Sequence, residues 1–256
     1  MMKKILNIRL SYLYPTLFVL FFLALTHFTP TKLTAGQLAL YSVNTFLFGF
    51  YFSPLLSAQK GRVDELIKTV RKETMILLDI LTQSHLLKAE DRHQLKIRLR
   101  TYMESIIDKP DVKADNVYYD ELLHFTKQDK YKDNSVMNVI YERVAKTQEN
   151  RDNIQNVSLN RVYSHEWLVT LVLFSITLYF VMQTDYGSVI FFRALLAVLC
   201  TGLSLMIIIL AKYATLTHKQ AKRMWTPLKQ LRTDHFEDIT ADEIKDMRAY
   251  VAKQRD

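Results

Sequence analysis

The sequence predicts an all-α integral membrane protein, in which four transmembrane helices form two pairs and a helical cytoplasmic domain is inserted between the pairs. The prediction depends on long uncharged segments, on the basic residues beside them, and on the helical periodicity of the polar region between them. The chain has 256 residues, of which 49% are hydrophobic and 23% are charged. These two populations are segregated along the chain, which indicates a membrane protein with a soluble part.

Four segments are apolar enough to cross a bilayer, and a hydrocarbon core about 30 Å thick requires about 20 helical residues. They are Tyr12–Phe28, Leu38–Ala58, Trp167–Thr184 and Gly187–Ala211. Only the fourth contains a formal charge, which is Arg193. The first segment follows three basic residues, as in a signal peptide, but no small-residue cleavage pattern follows it, so we expect a retained helix.

The basic residues that flank these segments predict their orientation. They precede the first segment and follow the second and the fourth, whereas the "QTDYG" link has none. Positively charged loops stay in the cytoplasm, so we expect a multi-pass protein of the cell (inner) membrane with both termini and the middle region inside. The predicted divisions are membrane helices 1 and 2 in 1–58, a cytoplasmic helical domain in 59–166, membrane helices 3 and 4 in 167–213, and a cytoplasmic helical tail in 214–256.

The middle region and the tail have helical patterns. Apolar residues recur at helical spacing in two runs, which are Ile67, Val70, Leu77, Leu78 and Leu81, and then Leu95, Leu99, Tyr102, Met103 and Ile106. They predict two helices, or one helix broken near "QSHLLKAED", and Pro110 ends the second run. We expect a shorter helix over 116–127, a loop at "KQDKYKDNS" and a long helix over 135–164. Thr240 and Glu243 form a predicted capping box.

The formal net charge of +8 is typical of membrane flanks as well as of nucleic-acid binders. Acidic and basic residues nearly balance in the middle region, so the excess lies beside the membrane, where anionic lipid contributes about 1 kcal/mol per basic residue. We therefore expect the lipid bilayer as a partner and no nucleic acid. Cys200 is the only cysteine, which excludes an intrachain disulfide and a multi-cysteine metal site.

The sequence contains no motif of a familiar catalytic or cofactor site. It has no phosphate-binding loop, nucleophile elbow or dinucleotide fingerprint, so we predict no catalytic residue, no metal and no cofactor. His165 and Glu166 are adjacent at the start of the third membrane segment. They are interpreted as a polar collar beside Trp167; the alternative is an enzyme that acts on lipid at the interface.

Arg193 is a charge inside a membrane segment, which is a functional hypothesis by default. It lies about 9 Å from the outer end at 1.5 Å per residue. A long side chain can reach the interface from there, toward Asp185. The alternative is a residue that attracts anions to an outer vestibule.

The segment "NTFLFGFYFSPLL" carries one face of rings and small residues. Members of this face recur at helical spacing, and they are Ser42, Phe46, Gly49, Phe50, Ser53 and Ser57. Small residues let membrane helices approach closely, so the face could be a packing seam. Rings repeated around an oligomer could instead line a pore and form a hydrophobic constriction.

The run "FLFGFYFS", Phe46 to Ser53, resembles the F-x-x-G-F-Y-x-[ST] run in the second membrane helix of the bestrophins, which are pentameric anion channels. The predicted topology is similar to that of short bacterial bestrophin-like membrane proteins. The resemblance implies a pore neck at Phe46 and Phe50, with Ser42 where the family usually has an aliphatic residue. The acidic calcium clasp of the family has no counterpart here, so calcium activation is not expected.

These observations together predict an oligomeric ion channel that conducts inorganic anions, a pentamer if the resemblance holds. The predicted neck residues are Ser42, Phe46, Gly49, Phe50 and Ser53, and the predicted electrostatic residues at the pore mouths are Lys60, Arg62 and Arg193. Lys60 and Arg62 could equally be ordinary positive-inside residues. The alternative function is a non-conducting membrane scaffold or signalling protein, whose cytoplasmic helices bind a partner and whose Phe face is an interhelical seam.

Overall fold

The computed structural model describes residues 8–27, 33–108, 117–159, 162–184, 190–215 and 224–253. Throughout these ranges the regular structure is helical, without a strand. The helices are α1 (Leu10–His27), α2 (Ala35–Ser84), α3 (Ala89–Asp108), α4 (Val117–Thr126), α5 (Ser135–Leu159), α6 (Ser164–Gln183), α7 (Ile190–Thr215), α8 (Thr226–His235) and α9 (Ala241–Lys253). The chain divides into two compact units, of which the first comprises Met1–Val63 and Arg161–Lys219, and the second comprises Asp64–Asn160 and Gln220–Asp256.

Within the described residues, the prediction of an all-α chain with four candidate membrane-spanning helices is confirmed. The helices that are long and apolar enough to cross a membrane are α1, α2, α6 and α7. α2 is 50 residues long, because the helical apolar pattern of the second membrane segment continues into the polar region. Pro54 lies inside α2 without ending it. Since proline has no amide hydrogen, the carbonyl of Phe50 cannot accept the usual helical hydrogen bond from position 54.

The first unit has two clusters of buried apolar side chains. One brings α1 together with α6 and α7, through Phe21, Leu25, Val181, Ala197 and Cys200. The other brings α2 together with α7, through Phe48, Phe52, Val162, Leu210 and Ala214. The Phe48 and Phe52 rings are stacked with their centroids 5.3 Å apart, so one side of α2 is committed to packing within the chain.

The second unit has its own core, formed by the later part of α2, by α3 to α5, and by α8 and α9. Fully buried members include Leu77, Leu95, Leu99, Leu122, Met137 and Phe236. The basic face of α3 holds the C-terminal segment: the carboxylate of Glu243 lies 2.7 Å from His93 Nε2, and Lys96 Nζ donates to Asp238 at 2.9 Å. Arg100 donates to the carbonyl oxygens of Phe236 and Ile239.

Several predicted boundaries can be compared with these helices. The break near "QSHLLKAED" lies between Ser84 and Ala89, and α4 matches the predicted short helix. The capping box is formed, since the Thr240 amide donates to Glu243 Oε2 at 2.7 Å. α3 ends at Asp108, and Pro110 lies outside the described residues.

The predicted long helix over 135–164 is present from Ser135, but it ends before Ser164. α5 ends at Leu159 and α6 begins at Ser164, because Tyr163 has an extended backbone and its amide donates to Glu166 Oε2 at 2.8 Å, which starts a new helix. Within the predicted loop, Asp129–Tyr131 forms a 3₁₀ turn with Tyr131 buried. Asn134 Oδ1 accepts the amides of Val136 and Met137 and caps α5, a role that the sequence analysis missed.

Candidate functional site

The predicted neck residues lie together on an exposed face of α2, which we call the Phe46 face; it comprises Ser42, Phe46, Gly49, Phe50 and Ser53. The Phe46 and Phe50 side chains are 69% and 71% exposed. Their rings are stacked, with centroids 6.0 Å apart and an interplanar angle of 17°. A side chain added at Gly49 would meet nothing within 4 Å. Of the two ring pairs of α2, Phe48 and Phe52, rather than Phe46 and Phe50, pack against neighbouring helices.

The opposite face of α2 carries a buried amide. Asn44 Nδ2 donates to Thr177 Oγ1 at 2.8 Å and to the carbonyl oxygen of Leu173 at 3.1 Å, both on α6. The sequence analysis did not single out Asn44. Its presence in an uncharged membrane segment could have indicated it, because a polar group in hydrocarbon must find a partner inside the protein.

Arg62, which was expected at a pore mouth, is buried and bound within the chain. Its Nη2 donates to the carbonyl oxygens of Tyr213 at 2.8 Å and Ala214 at 3.1 Å. These carbonyls belong to the last turn of α7, where backbone acceptors lack helical partners and the helix dipole is negative. The charge of Arg62 therefore satisfies the end of α7 rather than facing solvent.

Lys60 differs from Arg62 although only one residue separates them. At about 100° per residue, Lys60 falls about four turns after Phe46 and on the same side of α2. Its side chain is exposed, whereas Arg62 is only 5% exposed. Of these two predicted mouth cations, Lys60 alone continues the Phe46 face.

Arg193 and the pair His165 and Glu166 lie elsewhere in the first unit. Arg193 is a half-buried residue in the first turn of α7, about 30 Å along that helix from Tyr213; its predicted partner Asp185 lies outside the described residues. Glu166 caps α6 as described, and the His165 ring stacks on Tyr163 with centroids 5.5 Å apart. Both side chains thus contact Tyr163 at the start of α6.

The second unit contains a buried charged cluster formed by Glu73, Tyr102, Arg151 and Trp225. One oxygen of Glu73, Oε1, accepts hydrogen bonds from Tyr102 Oη at 2.8 Å and from Arg151 Nε at 2.9 Å. The Arg151 guanidinium lies 5.5 Å from the centroid of the Trp225 ring. Burial, and to a smaller extent the charge of Glu73, raises the pKa of Tyr102 above its usual value. The hydroxyl therefore stays protonated and donates a hydrogen bond to the carboxylate.

In the described part of the chain, no group of three or more His, Cys, Asp or Glu side chains is arranged to hold a metal ion. Comparison with protein-family models, curated proteins and solved structures found no match.

Proposed function

We propose that the protein is an oligomeric membrane channel that conducts inorganic anions, with α2 of each subunit beside a common axis and Phe46 and Phe50 at the constriction. The observation that carries the proposal is the stacked, exposed ring pair on the side of α2 that faces away from its partners in the chain. A surface left free by the subunit is available to other copies. Rings contributed by several copies would form a short dry neck that opens when the rings separate.

The composition of the Phe46 face supports an axis rather than lipid alone. Lipid tails are as apolar as phenylalanine, so exposure of the rings does not by itself distinguish the two surroundings. Ser42, Gly49 and Ser53 are small, however, and would let neighbouring α2 helices approach. Lys60 ends the same face with a positive charge, which would raise the local anion concentration at the pore mouth.

Contacts in the first unit support the topology that we propose for this channel. Lys212 Nζ donates to the carbonyl oxygen of Ile8 at 2.8 Å, and Arg62 binds the last turn of α7. The start of α1, position 62 of α2 and the end of α7 therefore share one end of this unit. Their basic flanks would place that end in the cytoplasm, with α1 and α2, and then α6 and α7, crossing the membrane as successive pairs along the chain, and the polar helices as a cytoplasmic insert in a cell-membrane protein. Across these pairs, α1 packs against α6 and α7.

The subunit number is proposed from resemblance alone. A closed ring needs several copies around one axis, and the likeness of the "FLFGFYFS" run to the bestrophins implies five. The size of the purified oligomer in detergent, measured by light scattering, tests this part of the proposal. A monomer would exclude a shared pore at Phe46.

The function is tested by recording currents through planar bilayers under a chloride gradient. We expect Phe46→Ala/Phe50→Ala to give larger currents than wild type, with reversal near the chloride potential, because the neck is widened. Leu40→Ala/Leu47→Ala is the matched control, since both leucines are exposed on α2 but lie about 60° or more from the Phe46 face. The proposal would be refuted if neither wild type nor the Phe variant carried current although their oligomers were intact. It would also be refuted if both double variants changed the current equally.

The second candidate function is a non-conducting scaffold or signalling protein. Two large apolar side chains of the second unit favour it, since Met75 and Leu86 are 68% and 70% exposed and could contact a partner helix. Single exposed apolar residues are common on protein surfaces, so we rank this candidate below the channel. Absence of current together with a monomer or dimer in detergent would favour it.

A further inference from the structure

We propose that Asn44 and Arg62 are positioning residues that fix the rotation of α2 about its own axis and so keep Phe46 and Phe50 on its outward face. The effect on conduction rests on the proposed function. The effect on helix rotation does not, and the two are measured separately below.

The two polar residues lie on one line along α2. They are separated by about five full turns at 3.6 residues per turn. On the same scale Phe46 and Phe50 lie about 200° and 240° from Asn44, on the other side of the helix. When the side of α2 that carries Asn44 and Arg62 packs against the rest of the first unit, the Phe46 and Phe50 rings therefore face away from that unit.

Each residue binds a different neighbour of α2. Asn44 donates to Thr177 and Leu173 of α6, and Arg62 donates to Tyr213 and Ala214 of α7. A helix with its side chains is about 10 Å across, so a rotation of about 30° moves a side-chain tip by about 3 Å. Such a movement breaks hydrogen bonds that begin at about 2.8 to 3.1 Å.

Apolar packing alone selects the rotation only weakly. Leu40 and Leu47 are exposed apolar residues on a third side of α2, and lipid solvates any such side as well as the protein does. A buried amide in hydrocarbon, or a buried guanidinium, is instead strongly disfavoured when it has no partner. The orientation that satisfies both Asn44 and Arg62 is therefore selected over the others.

Cysteine cross-linking with a short bifunctional thiol reagent measures the rotation directly. In a Cys200→Ala background, the reagent should bridge the pair Phe48→Cys/Phe174→Cys readily, because the two native side chains meet, with ring centroids 6.3 Å apart. The pair Leu47→Cys/Phe174→Cys should cross-link slowly, since Leu47 lies about 100° from Phe48. Adding Asn44→Leu/Arg62→Met should lower the cross-linking rate of the Phe48/Phe174 cysteine pair several-fold and raise that of the Leu47/Phe174 pair. A simple loss of packing would not raise the rate of the Leu47/Phe174 pair.

A single-hydroxyl comparison gives the same test with less risk to folding. Thr177→Val removes the hydroxyl that accepts from Asn44 and keeps the β-branched shape, while Thr177→Ser keeps the hydroxyl. We expect a smaller shift of the cross-linking pattern in the valine variant and none in the serine variant. An unchanged pattern in both Thr177→Val and Asn44→Leu/Arg62→Met would overturn the inference.

Currents recorded from the same variants separate this inference from the channel proposal. A shifted cross-linking pattern with altered current supports both. A shifted pattern in a protein that never conducts supports the positioning role and refutes the channel. An unshifted pattern refutes the positioning role whatever the current.

Discussion

Replacing Arg151 by Met in the buried cluster should destabilise the second unit more than any surface substitution. The carboxylate of Glu73 is completely buried, and it lies 2.8 Å from Arg151 Nη2. Removing the guanidinium leaves this charge with the Tyr102 hydroxyl as its remaining hydrogen-bond donor in the described structure. A buried charge that loses its partner costs about 3 to 5 kcal/mol.

Removing the charge of Glu73 instead should lower the stability of the second unit less than removing the guanidinium does. Glu73→Gln leaves an acceptor for Tyr102, and it leaves Arg151, whose side chain is 18% exposed, able to contact water and the Trp225 ring. The double variant Glu73→Gln/Arg151→Met contains no buried charge. It should therefore be more stable than Arg151→Met alone.

Thermal unfolding in detergent, followed by tryptophan fluorescence, is the assay. The chain has two tryptophans, so Trp167→Phe leaves Trp225 as a reporter next to Arg151. At about 2 to 4 °C per kcal/mol, Arg151→Met should lower the melting temperature by roughly 6 to 20 °C. A loss of less than about 1 kcal/mol, or a double variant that is less stable than Arg151→Met, would refute the account of the cluster.

Three further predictions concern the tail and α2. Hydrogen bonds from the Thr240 amide, the Thr240 hydroxyl and His93 lower the pKa of Glu243 to about 2 from its usual 4.5. The stabilisation that results is present above pH 4.5 and is lost as the pH falls toward 2. Glu243→Gln should remove this pH dependence from acid-unfolding curves. Pro54→Ala should supply the amide hydrogen that the Phe50 carbonyl lacks and should therefore alter the open probability. An unchanged open probability would show that this missing hydrogen bond has no part in gating. Lys60→Gln should reduce chloride current at low salt and have little effect at high salt, where the charge is screened, and a salt-independent loss would exclude an electrostatic role.

The four candidate membrane-spanning helices of the described structure could be predicted from the sequence because length and hydropathy are local properties. The direction in which α2 faces could not. Phe46 and Phe50 are four residues apart, and so are Phe48 and Phe52, so helical spacing offers two ring pairs and does not say which is buried. The structure buries the second pair against neighbouring helices.

The polar contacts of the site were also beyond local patterns. Asn44 is 133 residues from Thr177, and Arg62 is 151 residues from Tyr213. A basic residue just after an apolar segment is typical of the positive-inside rule, and nothing local distinguishes Lys60 from Arg62. Helical geometry places the two on opposite sides of α2, but only the packing of α2 on α7 decides that Arg62 is the buried one.

The alignment of Asn44 with Arg62 constrains the length of the chain as well as its composition. Deleting or inserting one residue between them would turn one contact by about 100° relative to the other, so both could not be satisfied together. An insertion of a whole heptad would nearly preserve the angle but would shift Arg62 by about 10 Å along the axis. Natural variants should therefore accept substitutions in this stretch far more readily than changes in its length.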